Sequence, residues 1–438
     1  MIEPARIQAA IEILDQVATS LSGDGPSADV LVRKYFRTRR YAGSKDRRAV
    51  TKLVYQVIRD WGFLSEVTAG DIRKMVILSL CQLTGENVAT GKDVDLTTLF
   101  TGQNHAPDIL SEAEQQFLAL KYERLPHQRL NYPLWLESRL QERFSHDFEA
   151  ELESLNERAP FDLRVNSGKS TIGNVANFLK DQEIDFHPGK WAETALVLSD
   201  NPRINEWDIY QDGHVEIQDE AAQLACQLAD FKPGQQVMDL CAGAGGKTLA
   251  AAAYMENKGQ IFAFDNNKRR LKDLKPRAKR ANVRILQGRH LDTAGGKRQN
   301  ILSEHTGRMD RVILDVPCSG SGVWRRNPEL KWRLSPENLK QYCRIQKNLL
   351  AEGWHFVKAG GRMIYMTCSL FYDENEQQIT DFLDARQDAK LISYREIYQK
   401  SNQSAGLKTL SPRAECLALS PQTHGTDGFF VAILEKIA

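Results

Sequence analysis

No run in the 438-residue sequence approaches the roughly 18 consecutive apolar residues of a membrane span, so none is expected. The first 21 residues carry Glu3, Glu12 and Asp15 and lack a continuous apolar centre, which is not the pattern of a signal peptide. Cysteine is scarce: seven residues, an odd number, with no C-x-x-C pair, which argues against a disulfide framework or a zinc site. No metal is expected. A cytoplasmic protein with reduced thiols, and a monomer, is the expectation. Excess charge is missing too, 58 Lys and Arg against 57 Asp and Glu giving a net +1, so nucleic acid is neither demanded nor excluded.

What is present is enough chain for two or three domains, with 42% hydrophobic residues to build their cores. The sequence is organised around Val237-Met-Asp-Leu-Cys-Ala-Gly-Ala-Gly-Gly-Lys-Thr248. A short apolar strand ends at Asp239 and Leu240, breaks into small residues, and continues as an alanine-rich helix, Leu249 to Tyr254. Strand, glycine turn and helix bring backbone N–H groups against a nucleotide-like ligand. Ile261-Phe-Ala-Phe-Asp265 reads as the next strand, with Asp265 placed to grip a ribose hydroxyl. Gly246-Lys247-Thr248 looks like the end of a phosphate loop, but that motif wants glycine where Cys241 stands. Gly243, Gly245 and Gly246 do not fit the dinucleotide spacing G-x-G-x-x-G either. A phosphate-free adenosyl cofactor, S-adenosylmethionine, suits the turn better.

Upstream, residues 1–150 read as all-α. Ile7, Ile11, Leu14, Val17 and Leu21 keep helical spacing, and a second helix runs near Ala28 to Arg37. Ser44 is the expected cap of a third helix whose buried stripe is Ala49, Leu53, Val57 and Trp61. Asp71 caps a fourth, Ile72 to Leu83; Ser111 with Glu114 forms a capping box, and Pro133 opens the helix Leu134 to Phe144. Arg33, Lys34, Arg37, Arg39, Arg40, Lys45, Arg47, Arg48 and Lys52 cluster around one acid, Asp46, with Tyr35, Phe36 and Tyr41 interleaved. The cluster is either a solvated helix face or a phosphate-binding surface. The stretch Phe36 to Asp60 resembles the NusB-like RNA-binding domain. Residues 151–228 read as a small α/β insert: strand Phe161 to Asn166, helix Ile172 to Lys180, strand Val215 to Ile217. Trp191 and Trp207 there are more in keeping with packing than with base stacking.

From residue 229 to 438, strands and helices alternate, giving a largely parallel sheet. The expected strands are Val237–Leu240, Ile261–Phe264, Val283–Leu286, Arg311–Leu314 and Arg362–Met366, with Gly428 to Leu434 as a terminal antiparallel partner. Ligands sit outside the carboxyl ends of such strands. Just there stand Asp315-Val-Pro-Cys318-Ser-Gly-Ser-Gly322 and Thr367-Cys368-Ser369. Cys81, Cys226 and Cys343 read as small buried hydrophobes, whereas Cys318 and Cys368 lie in Gly-, Ser- and Thr-rich loops suited to reactive thiols. A thiolate beside a methyl sulfonium points to carbon 5 of cytosine. Addition of sulfur to carbon 6 makes carbon 5 nucleophilic, and Asp315 is placed to stabilise charge at ring nitrogen 3. One cysteine suffices for addition; a second can assist release.

Cys241-Ala-Gly-Ala-Gly-Gly-Lys247, Asp315-Val-Pro-Cys-Ser-Gly320, Arg325-Arg-Asn-Pro-Glu-Leu-Lys-Trp332, Tyr365-Met-Thr-Cys-Ser369 and Gly425-Thr-Asp-Gly-Phe-Phe430 together resemble the motif series of the RNA cytosine-5 methyltransferases. The layout is similar to the bacterial 16S ribosomal RNA members with an N-terminal NusB-like domain. The resemblance implies a Rossmann-like methyltransferase sheet, RNA (most readily ribosomal RNA) as partner, and S-adenosylmethionine held by Cys241, Ala242, Gly243, Ala244, Gly245, Gly246, Lys247, Asp265 and Asp315. It makes Cys368 the nucleophile and Cys318 the residue that frees the product, with Asp315 on the cytosine ring and Lys247 supporting it. Two departures stand out. Ala244 replaces the usual proline, and the family's adenine-holding aspartate has two candidates here, Gln287 and Asp292. Arg308, Arg311, Arg325, Arg326, Lys331 and Arg333 are expected in part to line an RNA groove, Arg325 and Arg326 foremost. Transfer RNA as substrate, or an idle RNA-binding assembly factor, are the alternatives.

Overall fold

The computed structural model describes residues 1–23, 25–82, 95–291, 297–399 and 406–437. They form two units: residues 1–141, 148–156 and 324–335, and residues 142–147, 157–323 and 336–438.

The first unit is helical. Glu3–Leu21, Ala28–Thr38, Ser44–Arg59, Trp61–Val67 and Ile72–Gln82 pack around Ile13, Leu14, Val54, Val57, Phe63 and Met75. Asp71 Oδ1 accepts the Lys74 amide at 3.0 Å, and Ser111 with Glu114 forms the capping box the sequence announces. Ser44 is not a cap. Gly43 takes that place, its amide donating to Asp46 at 3.0 Å, which shifts the buried stripe of this helix to Val50, Leu53, Val54, Val57 and Ile58. Leu83, the expected end of the fourth helix, lies outside the described residues.

Residues 324–335 belong to this helical unit although their neighbours in the chain do not. Trp332 donates from Nε1 to Ile58 O at 2.7 Å. Arg333 reaches Gly25 O, Pro26 O and Ser20 Oγ at 2.6–2.8 Å. Lys331 is buried, its Nζ donating to Asn131 O and Asn156 Oδ1 at 2.8 Å each. Burial pushes the Lys331 ammonium down to about 7. Arg311, in the second unit, is buried too and donates to Ala229 O and Asp230 O. These cations hold backbone in place, and the expectation that they line an RNA groove fails for Arg311, Lys331 and Arg333; Arg325, 6% exposed, is equally unsuited to an open phosphate contact.

The second unit contains two sheets. The smaller is antiparallel, with strands β1 (Phe161–Val165), β2 (Phe186–Pro188), β3 (Ala195–Leu198) and β4 (Val215–Ile217) in the order β2-β3-β1-β4. Leu163, Val165, Leu196, Leu198 and Val215 pack there against Val175 and Leu179 of the helix Ile172–Asp181. The larger sheet has β5 (Gln236–Asp239), β6 (Gln260–Asp265), β7 (Leu286–His290), β8 (Met309–Asp315) and β9 (Val357–Thr367), all parallel. Beyond β9 come β10 (Ala389–Ile392), β11 (Leu417–Leu419) and β12 (Phe429–Lys436), in the order β10-β12-β9-β8-β5-β6-β7 with β11 on β12. β12 runs antiparallel to β9, as its terminal position suggests.

Alternation along each strand serves two cores. Val237, Ile313, Ile364 and Ile433 face one side, and Met238, Leu314, Tyr365 and Leu434 the other, so both faces of the sheet are covered. The third strand departs from expectation. It runs over Leu286–His290, not Val283–Leu286, because Val283 and Ile285 pack beside the core while the edge strand itself shows Gln287, Gly288 and Arg289 to solvent. Gln287 therefore sits inside the strand rather than after it.

Candidate active site

Four loops converge at the carboxyl edge of the parallel strands. After β5, Gly245 adopts φ +90°, and a side chain there would collide with Leu274, its Cβ 2.2 Å from Leu274 Cδ1. Only glycine allows this turn, and it opens the helix Gly246–Tyr254. Asp239, at the end of β5, is fully buried; burial pushes its carboxyl up to about 7, against the hydrogen bonds it accepts from Thr248 Oγ1 at 2.7 Å and the Cys241 amide at 3.3 Å. Asp265, ending β6, accepts the Gly243 amide at 2.7 Å and the Asn267 amide at 2.5 Å. Each of its oxygens keeps one further lone pair. A Cβ placed on Gly243 meets nothing within 4 Å, so the turn beside Asp265 faces open space.

The turn is buttressed by residues the motif search passed over. Arg164 of β1 donates to Gly246 O and to Gln218 Oε1, both at 2.8 Å. Arg277 donates to Ala244 O at 2.9 Å and pairs with Glu216 of β4 at 2.8 Å, where Arg280 also pairs at 2.6 Å. Glu216 is 1% exposed, so its charge is carried by these two guanidiniums. Arg164 and Glu216 sit on short strands, where sequence alone gives no hint of partners on the helices Gly246–Tyr254 and Lys268–Arg280.

Lys247, in the first turn of the helix after the glycines, reaches Asp315 at the end of β8, Nζ to Oδ2 2.5 Å. Burial opposes the ammonium charge, but Asp315 more than offsets it and the lysine pKa is raised; a neighbouring charge at Cys368 would raise it further. Phe429 places its ring 5.3 Å from the same Nζ. Cys318 and Cys368, on the loops after β8 and β9, bring their sulfurs to 3.3 Å. Both are half-buried. The hydrogen bond to Cys368, then burial, pushes the Cys318 thiol well above the usual range. The two loops are also stitched by the Gly322 amide donating to Cys368 O at 2.9 Å, and Gly322 and Gly428 touch so closely that a Cβ on Gly322 would lie 2.0 Å from Gly428 O.

Cys241, Ala242, Gly243, Ala244, Gly245, Gly246, Lys247, Asp265, Asp315, Cys318 and Cys368 thus meet at one edge of one sheet. Asp292 lies outside the described residues. Cys226 is buried as expected, while Cys81 and Cys343 are half-buried. Trp191 is core, its Nε1 donating to His424 O at 2.8 Å, and Trp207 packs edge-on against Phe178.

Exposed cations mark two surfaces, one on each unit. In the helical unit Lys34, Arg37, Arg40, Lys45, Arg48 and Lys52 are exposed, while Arg39 stacks on Tyr35 and pairs with Glu12. Asp46 is engaged by Arg6 at 2.8 Å and by the Gly43 amide. In the second unit the helix Lys268–Arg280 exposes Lys268, Arg269, Arg270, Lys272, Lys275 and Lys279, with Asp273 its one acid.

Two family models match the chain. The one described as 16S rRNA methyltransferase RsmB/F covers residues 226–435, and the ferredoxin-like domain of RsmF/B-like methyltransferases covers residues 132–205. The Ribosomal RNA small subunit methyltransferase B of Photorhabdus laumondii is 31% identical over 307 residues, 70% of this chain and 66% of that protein. The protein of the same name in Yersinia pestis is 33% identical over 312 residues, with the same coverage. The match thus spans about two thirds of the length of these relatives. The crystal structure of PH0851 superposes with a TM-score of 0.78 at 26% identity, covering 100% of this chain and 99% of that one. With both family models, curated relatives above 30% identity and a full-length structural match in agreement, the chain belongs to the RsmB/F family of methyltransferases.

Proposed function

We propose that this protein methylates carbon 5 of a cytosine in 16S ribosomal RNA through a covalent cysteine–cytosine intermediate. The observation that carries the reading is the pair of sulfurs 3.3 Å apart on the loops after β8 and β9, beside the Lys247–Asp315 ion pair. Bisulfite sequencing of ribosomal RNA from cells with and without the protein tests it. One cytosine protected only when the protein is present is expected; an unchanged pattern contradicts the reading.

The open turn at Gly243, with spare lone pairs on Asp265, fits S-adenosylmethionine: the backbone amides of Ala244 and Gly246 for the methionine part, Asp265 for the ribose. Bound there, it supplies an electrophilic methyl group. The remaining steps belong to the chain. Cys368 is the sulfur that attacks carbon 6, with the Cys318 thiol 3.3 Å away. Asp315 uses the oxygen not engaged by Lys247 to orient the base at nitrogen 3, and Lys247 holds that carboxylate in place. After methyl transfer the carbon 5 proton is lost to solvent water, its electron pair re-forms the 5,6 double bond and expels the Cys368 thiolate, and the Cys318 S–H lies within reach to protonate that sulfur.

Arg277→Ala releases the Ala244 carbonyl and removes one of the two guanidiniums on buried Glu216, so the folded variant is expected to melt lower and to bind S-adenosylmethionine about tenfold more weakly by calorimetry. Unchanged affinity would show that the turn holds its shape unaided. The exposed cations of the helix Lys268–Arg280 suit an RNA backbone. The triple variant Lys272→Glu, Lys275→Glu and Lys279→Glu should flatten the log K against log salt slope for RNA by about one unit or more, leaving cofactor affinity intact. An unaltered slope would place RNA elsewhere.

A further inference from the structure

One buried carboxylate joins the two cysteine loops. Glu374, in the turn Tyr372–Glu374, is 0% exposed and accepts four hydrogen bonds. Its Oε1 takes the Ser319 amide and Gln346 Nε2, each at 2.9 Å. Its Oε2 takes the hydroxyls of Ser319 and Ser369, each at 2.5 Å. Ser319 follows Cys318 and Ser369 follows Cys368, so each loop is tied to the same group by the residue next to its sulfur. Ser321 adds a third hydroxyl, 3.2 Å from Ser369 Oγ, and accepts the Leu370 amide at 2.7 Å. Asn375 completes the clamp, donating to Ser369 O at 2.8 Å and accepting from Thr367 Oγ1 at 2.6 Å.

Four hydrogen bonds, two on each oxygen, fill the lone pairs of the carboxylate. Burial raises the carboxyl pKa, and the hydrogen bonds oppose that rise. Charge-assisted bonds are shorter and hold geometry more tightly than neutral ones. A group that only filled space here would be better apolar.

We infer that Glu374 is a positioning residue: by seating Ser319 and Ser369 on one carboxylate, it fixes the separation of the Cys318 and Cys368 sulfurs and so their joint approach to one cytosine. The inference rests on the reading of the two cysteines proposed above.

Glu374→Gln in the full chain tests it, since both hydroxyls would have to turn to accept from an uncharged amide nitrogen and the charge-assisted seat is lost. Phenylarsine oxide reports sulfur spacing without RNA, because it closes a dithioarsenite ring on two nearby thiols with loss of one water. In folded Glu374→Gln, this capture at Cys318 and Cys368 should slow about tenfold and kcat should fall about 100-fold, with KM for RNA within about threefold. Glu374→Asp, which keeps the carboxylate, should recover part of both losses. Wild-type kcat and capture in the folded variant would overturn the inference, as would lost kcat with capture unchanged. Should Glu374→Gln not fold, Ser369→Ala removes one of the donors and is read in the same way. The failures are separable: a wild-type chain that closes the arsenic ring but never bonds RNA retires the reading of Cys368, while the Glu374 comparison still reports thiol geometry.

Discussion

Cys368→Ala is expected to lose methyl transfer by about 10⁴-fold or more, because the addition that activates carbon 5 is assigned to that sulfur. Lys247, Asp315, Asp265 and the glycine turn do not depend on that thiol for their hydrogen bonds. S-adenosylmethionine affinity should therefore stay within about threefold of wild type. Tritium transfer from labelled cofactor to 16S ribosomal RNA measures the first quantity and calorimetry the second. Full methylation by the variant would remove Cys368 from the nucleophile role.

Cys318→Ala should have the opposite signature. Addition and methyl transfer remain possible, while departure of Cys368 loses the S–H group 3.3 Å from its sulfur. General acid assistance of this kind is worth about 10²–10⁴-fold, so release becomes the slow step and a covalent protein–RNA complex accumulates. The complex should survive denaturing electrophoresis as a retarded band. Rapid turnover with no such band would mean that Cys318 plays no part in release.

The two cysteines were legible in the sequence because strand, acid, proline and cysteine fall in one short run, and strand ends are where ligands lie. Their ranking is not, since both loops look alike as text; the resemblance supplies it. Glu374 was missed for a different reason. It sits in Phe371-Tyr-Asp-Glu-Asn-Glu376, an acid-rich stretch that reads as a solvated helix start, and its donors lie as many as 55 positions away. Arg164, Glu216 and Arg277 escaped notice likewise, because pairing across 61 positions leaves no local pattern. The third parallel strand was placed too early since an edge strand needs few apolar residues. Arg308, Arg311, Arg325, Arg326, Lys331 and Arg333 read in part as lining an RNA groove, yet Lys331 and Arg333 spend donors on backbone carbonyls of the helical unit. Cations in a sequence announce a partner; only coordinates tell which.

The central claim is a covalent bond from one particular sulfur to the base. A 16S ribosomal RNA transcript carrying 5-fluorocytidine blocks loss of the carbon 5 substituent and should hold the wild-type protein in its adduct. Mass spectrometry of the digested complex is then expected to find a methylated fluorocytidine on the peptide that contains Cys368. An adduct on Cys318 instead, or methylated product from ordinary RNA with no adduct on either thiol, would contradict the account.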